Sequence, residues 1–113
     1  MQIDSRTTDD ILILTLTQPR LDAAGAVAFK ERVRELCNGH GGRVVLDMAK
    51  VDFLDSSGLG ALVAVMKGLD GRTLELARAR GAVSRVLDLT RMDRVFAIHD
   101  DLPDGAAPGQ DAA

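Results

Sequence analysis

Residues 52 to 60 read Asp-Phe-Leu-Asp-Ser-Ser-Gly-Leu-Gly, with two hydroxyls set between a carboxylate and two glycines, and an apolar run begins at once. One chemistry open to this pattern is helix capping. Asp55 or Ser56 can accept from the first-turn amides, which have no partner inside a helix. A second chemistry is phosphate handling. An exposed hydroxyl beside free helix amides is suited to carry or hold a phosphate.

Enzyme chemistries fail for want of parts. Gly58-Leu59-Gly60 supplies G-x-G without the third glycine of a dinucleotide fingerprint, and no G-x-x-x-x-G-K-[ST] phosphate loop occurs anywhere in the chain. The serine pair is not in a G-x-S-x-G elbow. The two histidines, His40 and His99, lie far apart in sequence and are expected in or beside loops, as solvated residues rather than bases or ligands. No Cys/His/Asp/Glu cluster has metal-ligand spacing. Cys37 is the single cysteine, so no intrachain disulfide exists, and its expected place is the buried side of a helix as a small hydrophobe. The acidic pairs at 9–10 and 100–101 read as turn or surface acid.

Composition narrows the partners. With 14 basic and 17 acidic residues the chain is mildly acidic, and a phosphate-backbone binder would want a basic face. Aromatics are 3% of residues, with no Trp or Tyr, so bases have almost nothing to stack on. Direct nucleic-acid binding is not expected. The N-terminus lacks a signal pattern and no apolar run reaches membrane-spanning length, which predicts a cytoplasmic protein without membrane insertion.

The elements that must position the serine pair follow from periodicity. Residues 2–7 and 11–17 predict a hairpin closed at Thr8-Asp9-Asp10, ended by Pro19. Phe29, Val33, Leu36 and Cys37 fall at helical spacing, with charges between them, and the Asn-Gly-His-Gly-Gly run at 38–42 stops that helix. Residues 43–48 read as a buried parallel strand. A second helix is expected from about Ser57 to Leu69, with Leu59, Leu62, Val63 and Met66 inward. Its other face, Gly60, Ala61, Ala64, Val65 and Gly68, is small or apolar. Such a face is covered either by its own fold or by a partner. A strand at 73–77, a helix over 81–90 burying Val83, Val86 and Leu87, and a strand at 95–98 complete the order β-β-α-β-α-β-α-β. Crossover helices force parallel pairs while the opening hairpin is antiparallel, so the expectation is one small α/β domain with a mixed four- to five-stranded sheet over residues 1–102. Residues 103–113, rich in Pro, Gly and Ala, are expected to be a flexible tail.

Asp-Phe-Leu-Asp-Ser-Ser-Gly-Leu-Gly-Ala-Leu, following an apolar strand, resembles the signature loop of the STAS domain, specifically the bacterial anti-sigma factor antagonists. The likeness extends over about residues 3–102. It takes in the Leu21-Asp22 loop with the first helix, and the third helix with the last strand. The resemblance implies that Ser56 is a phosphoacceptor with Asp22 close by. It also implies a partner, a serine kinase that doubles as an anti-sigma factor. The unphosphorylated protein binds this kinase, phosphorylation releases it, and a serine phosphatase acting on phospho-Ser56 resets the switch. Asp22, Asp55, Ser57, Gly58 and Leu59 would then contact the partner, joined by Ala61, Ala64 and Val65 on the bare helix face. The protein itself would be neither an enzyme nor in need of a cofactor. The alternative is a phosphorylation-independent STAS subunit of a phospholipid-transport complex or signalling scaffold. Two departures from the family pattern stand out: Gln18-Pro19-Arg20 where a glycine usually precedes the Leu-Asp loop, and Arg91 where a glycine often follows the third helix.

Overall fold

The computed structural model describes residues 2–103. Strands β1 (Ile3–Thr8) and β2 (Ile11–Leu16) form the antiparallel hairpin. Asp9 and Asp10 close it with φ of 48° and 64°, the paired left-handed geometry of a tight two-residue turn. A two-residue strand β3 (Arg20–Leu21) precedes helix α1 (Ala26–Cys37). The chain continues through β4 (Arg43–Asp47), a second two-residue strand β5 (Phe53–Leu54), α2 (Ser56–Lys67), β6 (Leu74–Ala77) and α3 (Gly81–Leu89). A 3-10 turn at Met92–Arg94 leads into β7 (Ala97–His99).

The main sheet is five-stranded, in the order β1-β2-β4-β6-β7, and every pair beyond the hairpin is parallel. This confirms the mixed α/β sheet. From β2 onward each new strand is added on the same side of the last. Right-handed crossovers then place all three helices on one face. Accordingly Leu12, Leu14, Val44, Leu46, Leu74 and Leu76 share a core with Phe29 and Val33 of α1, Leu62 and Val65 of α2, and Val83 and Leu87 of α3. Ile11, Ile13, Val45 and Ala77, one residue out of phase, face the other way and pack with Leu102 in a smaller cluster.

Several expected boundaries move. Residue 56, not 57, opens α2, and the last strand begins two residues later and ends one later, because the 3-10 turn consumes residues 92–94. His99 is therefore the last residue of β7, beside the loop that follows. It accepts or donates at 2.8 Å to Glu75, which Arg43 also grips through two nitrogens at 2.8 and 2.6 Å. Arg43 first, and His99 after it, hold the Glu75 carboxyl below its ordinary range, against a desolvation cost. The tail expected at 103–113 lies outside the described residues except for Pro103.

The largest correction concerns α2. Ala61 and Val65, placed by the periodicity on an outer face open to a partner, are buried in the core, where α1 packs against α2. Leu59, Val63 and Met66, expected inward, are only partly buried. The helix is apolar nearly all round, so its own pattern did not select a face. The neighbouring helix did.

Candidate functional site

The loop that carries the serine pair is built by two short strands outside the main sheet. β3 and β5 pair in parallel, with Arg20 opposite Phe53 and Leu21 opposite Leu54. Asp22 therefore leaves β3 as Asp55 leaves β5, and both carboxylates emerge at the start of α2. Asp52 and Phe53 also donate their amides to the Pro19 carbonyl, at 2.8 and 3.1 Å. The Gln18-Pro19-Arg20 segment is thus the seat of the loop.

Asp55 is the N-cap, which resolves the choice left open by the sequence. Its backbone is extended, and its Oδ1 accepts from the Gly58 amide at 2.9 Å while its carbonyl accepts from Leu59. Gly58 is required for a steric reason. A Cβ there would collide with the Leu21 carbonyl oxygen and come within 2.7 Å of the Leu54 side chain. This contact docks the first turn of α2 onto β3, and it brings Asp22, Asp55, Ser56, Ser57, Gly58 and Leu59 to one end of the domain.

Within that group Ser56 differs from its neighbours. It is the first helical residue and is exposed, and among the described residues no hydrogen bond engages its hydroxyl. Ser57, one position on, is half-buried. The helix supplies no partner for the amides of Ser56 and Ser57. A group on the Ser56 oxygen would lie at the positive end of the α2 dipole.

The sequence reading missed one member of the site, Arg20. Its guanidinium lies 3.9 Å from the centroid of the Phe53 ring and donates to Asp22 at 3.1 Å. Arg20 first, with the Gly25 and Ala24 amides, holds the Asp22 carboxyl below its usual range. The departure of this segment from the family's glycine was the available signal. Of the remaining candidates, Ala64 is exposed but lies two turns further along α2, while Ala61 and Val65 are interior.

Among the described residues no group of three His, Cys, Asp or Glu side chains is placed to hold a metal ion. His40 bonds the Arg43 carbonyl at 2.9 Å and His99 bonds Glu75, so neither reaches the serine loop. No helix among the described residues is long and apolar enough to cross a membrane.

The STAS domain family model matches residues 2–105. A protein of Thermotoga maritima provisionally named an anti-sigma factor antagonist is 32% identical over 98 residues, covering 84% of this chain and 86% of its own length. A crystal structure under that name from the same organism superposes with a TM-score of 0.76 at 28% identity, over 88% of this chain and 87% of that one. The phosphorylated form of the Bacillus cell fate determinant SpoIIAA shares the fold, with a TM-score of 0.61 at 15% identity over 86% of this chain and 90% of its own. With the serine loop, its supporting strands and the sheet order all in place, the chain belongs to the STAS domain family.

Proposed function

We propose that this chain is an anti-sigma factor antagonist whose binding is switched by phosphorylation of Ser56. In its unphosphorylated form it binds a serine-kinase anti-sigma factor through the surface at the start of α2, formed by Asp22, Asp55, Ser56, Ser57 and Leu59. Transfer of the γ-phosphoryl group from ATP to the Ser56 oxygen by that kinase, with loss of the hydroxyl proton and release of ADP, ends the complex. A serine phosphatase restores it. The protein acts in the cytoplasm as a binding module and not as an enzyme. ATP and magnesium belong to the kinase.

The observation that carries this reading is the state of Ser56: exposed, unengaged, and seated on a rigidly docked helix start. A phosphate adds about −1.5 to −2 charge at pH 7. At a helix N-terminus that charge gains about 0.3–1 kcal/mol, so the fold tolerates the modification. Asp22 would oppose it, but Asp22 carries its own counter-ion in Arg20. On the partner's side, new charge on a desolvated contact costs several kcal/mol, enough to break a complex. The naming of the Thermotoga relative and the existence of a phosphorylated form of SpoIIAA are consistent with both parts of the proposal.

The test uses the kinase retained by the protein in a pull-down. Phosphopeptide mapping after incubation with ATP is expected to place the modification on Ser56, with Ser57 unmodified. By calorimetry, Ser56→Ala is expected to keep kinase affinity, and Ser56→Asp to lower it about tenfold or more, a 1.4 kcal/mol effect. Equal affinities for the two variants would reject the switch and leave a constitutive assembly subunit as the better reading.

A further inference from the structure

Between the C-terminal halves of α1 and α2, at the end of α2 away from Ser56, lies a groove of about 510 Å³. Such a volume lies within the range of about 300–1,000 Å³ seen for small-molecule sites. Its apolar side is formed by Val33, Val65 and Leu69, which are core residues, and by Cys37. Burial pushes the Cys37 thiol up, so that side remains uncharged at neutral pH. Ala64 of α2 and Gly68 at its C-cap, one turn on, leave the space unfilled.

Three cations line the same groove: Lys30, Arg34 and Arg72. Arg72 donates only to backbone carbonyls, Leu69 at 3.0 Å and Gly42 at 2.6 Å, so no carboxylate matches its charge. Neither Lys30 nor Arg34 forms an ion pair among the described residues, and Asp70 is the only acid in the lining. A helix C-terminus favours a nearby cation, which accounts for Arg34 in the last turn of α1. It does not account for three unmatched cations around one apolar hollow in an acidic protein.

We propose that this groove binds a small organic anion with an apolar body, its acidic head held by Lys30, Arg34 and Arg72 and its body against Val33, Val65 and Leu69. Planar guanidinium groups are suited to the oxygens of a carboxylate or a phosphate. The twelve residues of α2 span roughly 18 Å, so the ligand and Ser56 occupy opposite ends of one helix. This site is independent of the switch proposed above.

Octanoate and octyl phosphate, titrated into the full chain and followed by backbone amide shifts, test the proposal and distinguish the two heads. Octanol and acetate supply the body and the head alone. At least one of the anions is expected to move the amides of residues 30–41 and 64–72 saturably, with affinity about tenfold or more above octanol and acetate. A Lys30→Glu/Arg34→Glu double variant is expected to lose that affinity by about tenfold while keeping its melting temperature. If the double variant melts early, Arg34→Gln supplies the same comparison. Shifts confined to other surfaces, equal binding of octanol and the anions, or unchanged affinity in the charge variants would overturn the proposal.

Discussion

Three arginine–aspartate pairs among the described residues have the same chemistry and different consequences. Arg78 and Asp47 meet on the sheet face away from the helices, where Asp47 is 1% exposed. Two guanidinium nitrogens reach its carboxylate at 3.0 and 2.6 Å, and Thr15 and the Ala49 amide occupy the remaining acceptor sites. Arg20 and Asp22 meet beside the serine loop through one nitrogen at 3.1 Å, with most of the arginine in water. Arg91 and Asp93 stand 3.9 Å apart with both side chains mostly exposed. The first pair fixes two strand ends, the second sets the charge of a site, and the third does little. Water access, not residue type, separates them, because it decides how much a charge loses when its partner is removed.

The sharpest way to break this grading is Asp47→Ala. It strands the Arg78 guanidinium, and loss of one member of a buried pair costs about 3–5 kcal/mol. Chemical denaturation is expected to show a loss near the lower end, since the Arg78 side chain keeps 20% exposure. A loss below 1 kcal/mol, the scale of a surface pair, would place this pair with the other two.

The next effect asks what holds the serine loop, if Arg20 and Asp22 do not. Gly58→Ala forces a methyl group against the Leu21 carbonyl. A net destabilisation of about 1–3 kcal/mol is expected from overpacking, despite the roughly 1 kcal/mol that alanine gains in helix propensity. Gly60, two residues on, has open space around it, so Gly60→Ala is expected to stabilise by up to about 1 kcal/mol. Opposite signs in the two denaturation curves would show that backbone docking, not charge, sets the loop.

Arg91→Gly measures the weakest pair against backbone geometry. Arg91 follows the C-cap of α3 with φ of 57°, the left-handed position usually given to glycine. The variant gives up an exposed ion pair worth well under 1 kcal/mol and relieves a conformation that costs an L-residue about 1–2 kcal/mol. A net gain of about 1 kcal/mol is expected, read as a rise in melting temperature. A loss would mean that the pair with Asp93 matters more than its exposure implies.

The smallest effect separates electrostatics from stability. Arg20→Ala is expected to leave the denaturation midpoint unchanged. The carboxyl titration of Asp22, followed by carbon chemical shift, should move up towards the ordinary carboxylate value. The sign follows from the cause: Arg20 favours the charged form, so its removal makes the proton harder to lose. The Gly25 and Ala24 amides should retain part of the depression.

Much of this molecule was legible before folding. Ile11 to Leu16 shows itself as an unbroken apolar run because both of its faces are buried, and the helix carrying Phe29 and Val33 shows its period plainly because it buries one side and wets the other. The cap at Asp55 was legible to within one residue for the same local reason. β3 and β5 were not, since two-residue strands contain no period to detect. Neither was the pairing of Asp47 with Arg78, thirty-one residues apart in sequence.

The sequence by itself determined the order of the three helices and the five main-sheet strands, the α/β class and the presence of a serine at a helix start. These depend on interactions within a turn or a strand, which propensity and periodicity report directly. Only the tertiary structure decided which face of α2 is interior, that Leu21 locks Gly58, that Arg20 neutralises Asp22, and that Lys30, Arg34 and Arg72 surround one hollow. Each of these depends on packing between segments distant along the chain, and an apolar helix such as α2 has no local pattern from which its neighbours can be deduced.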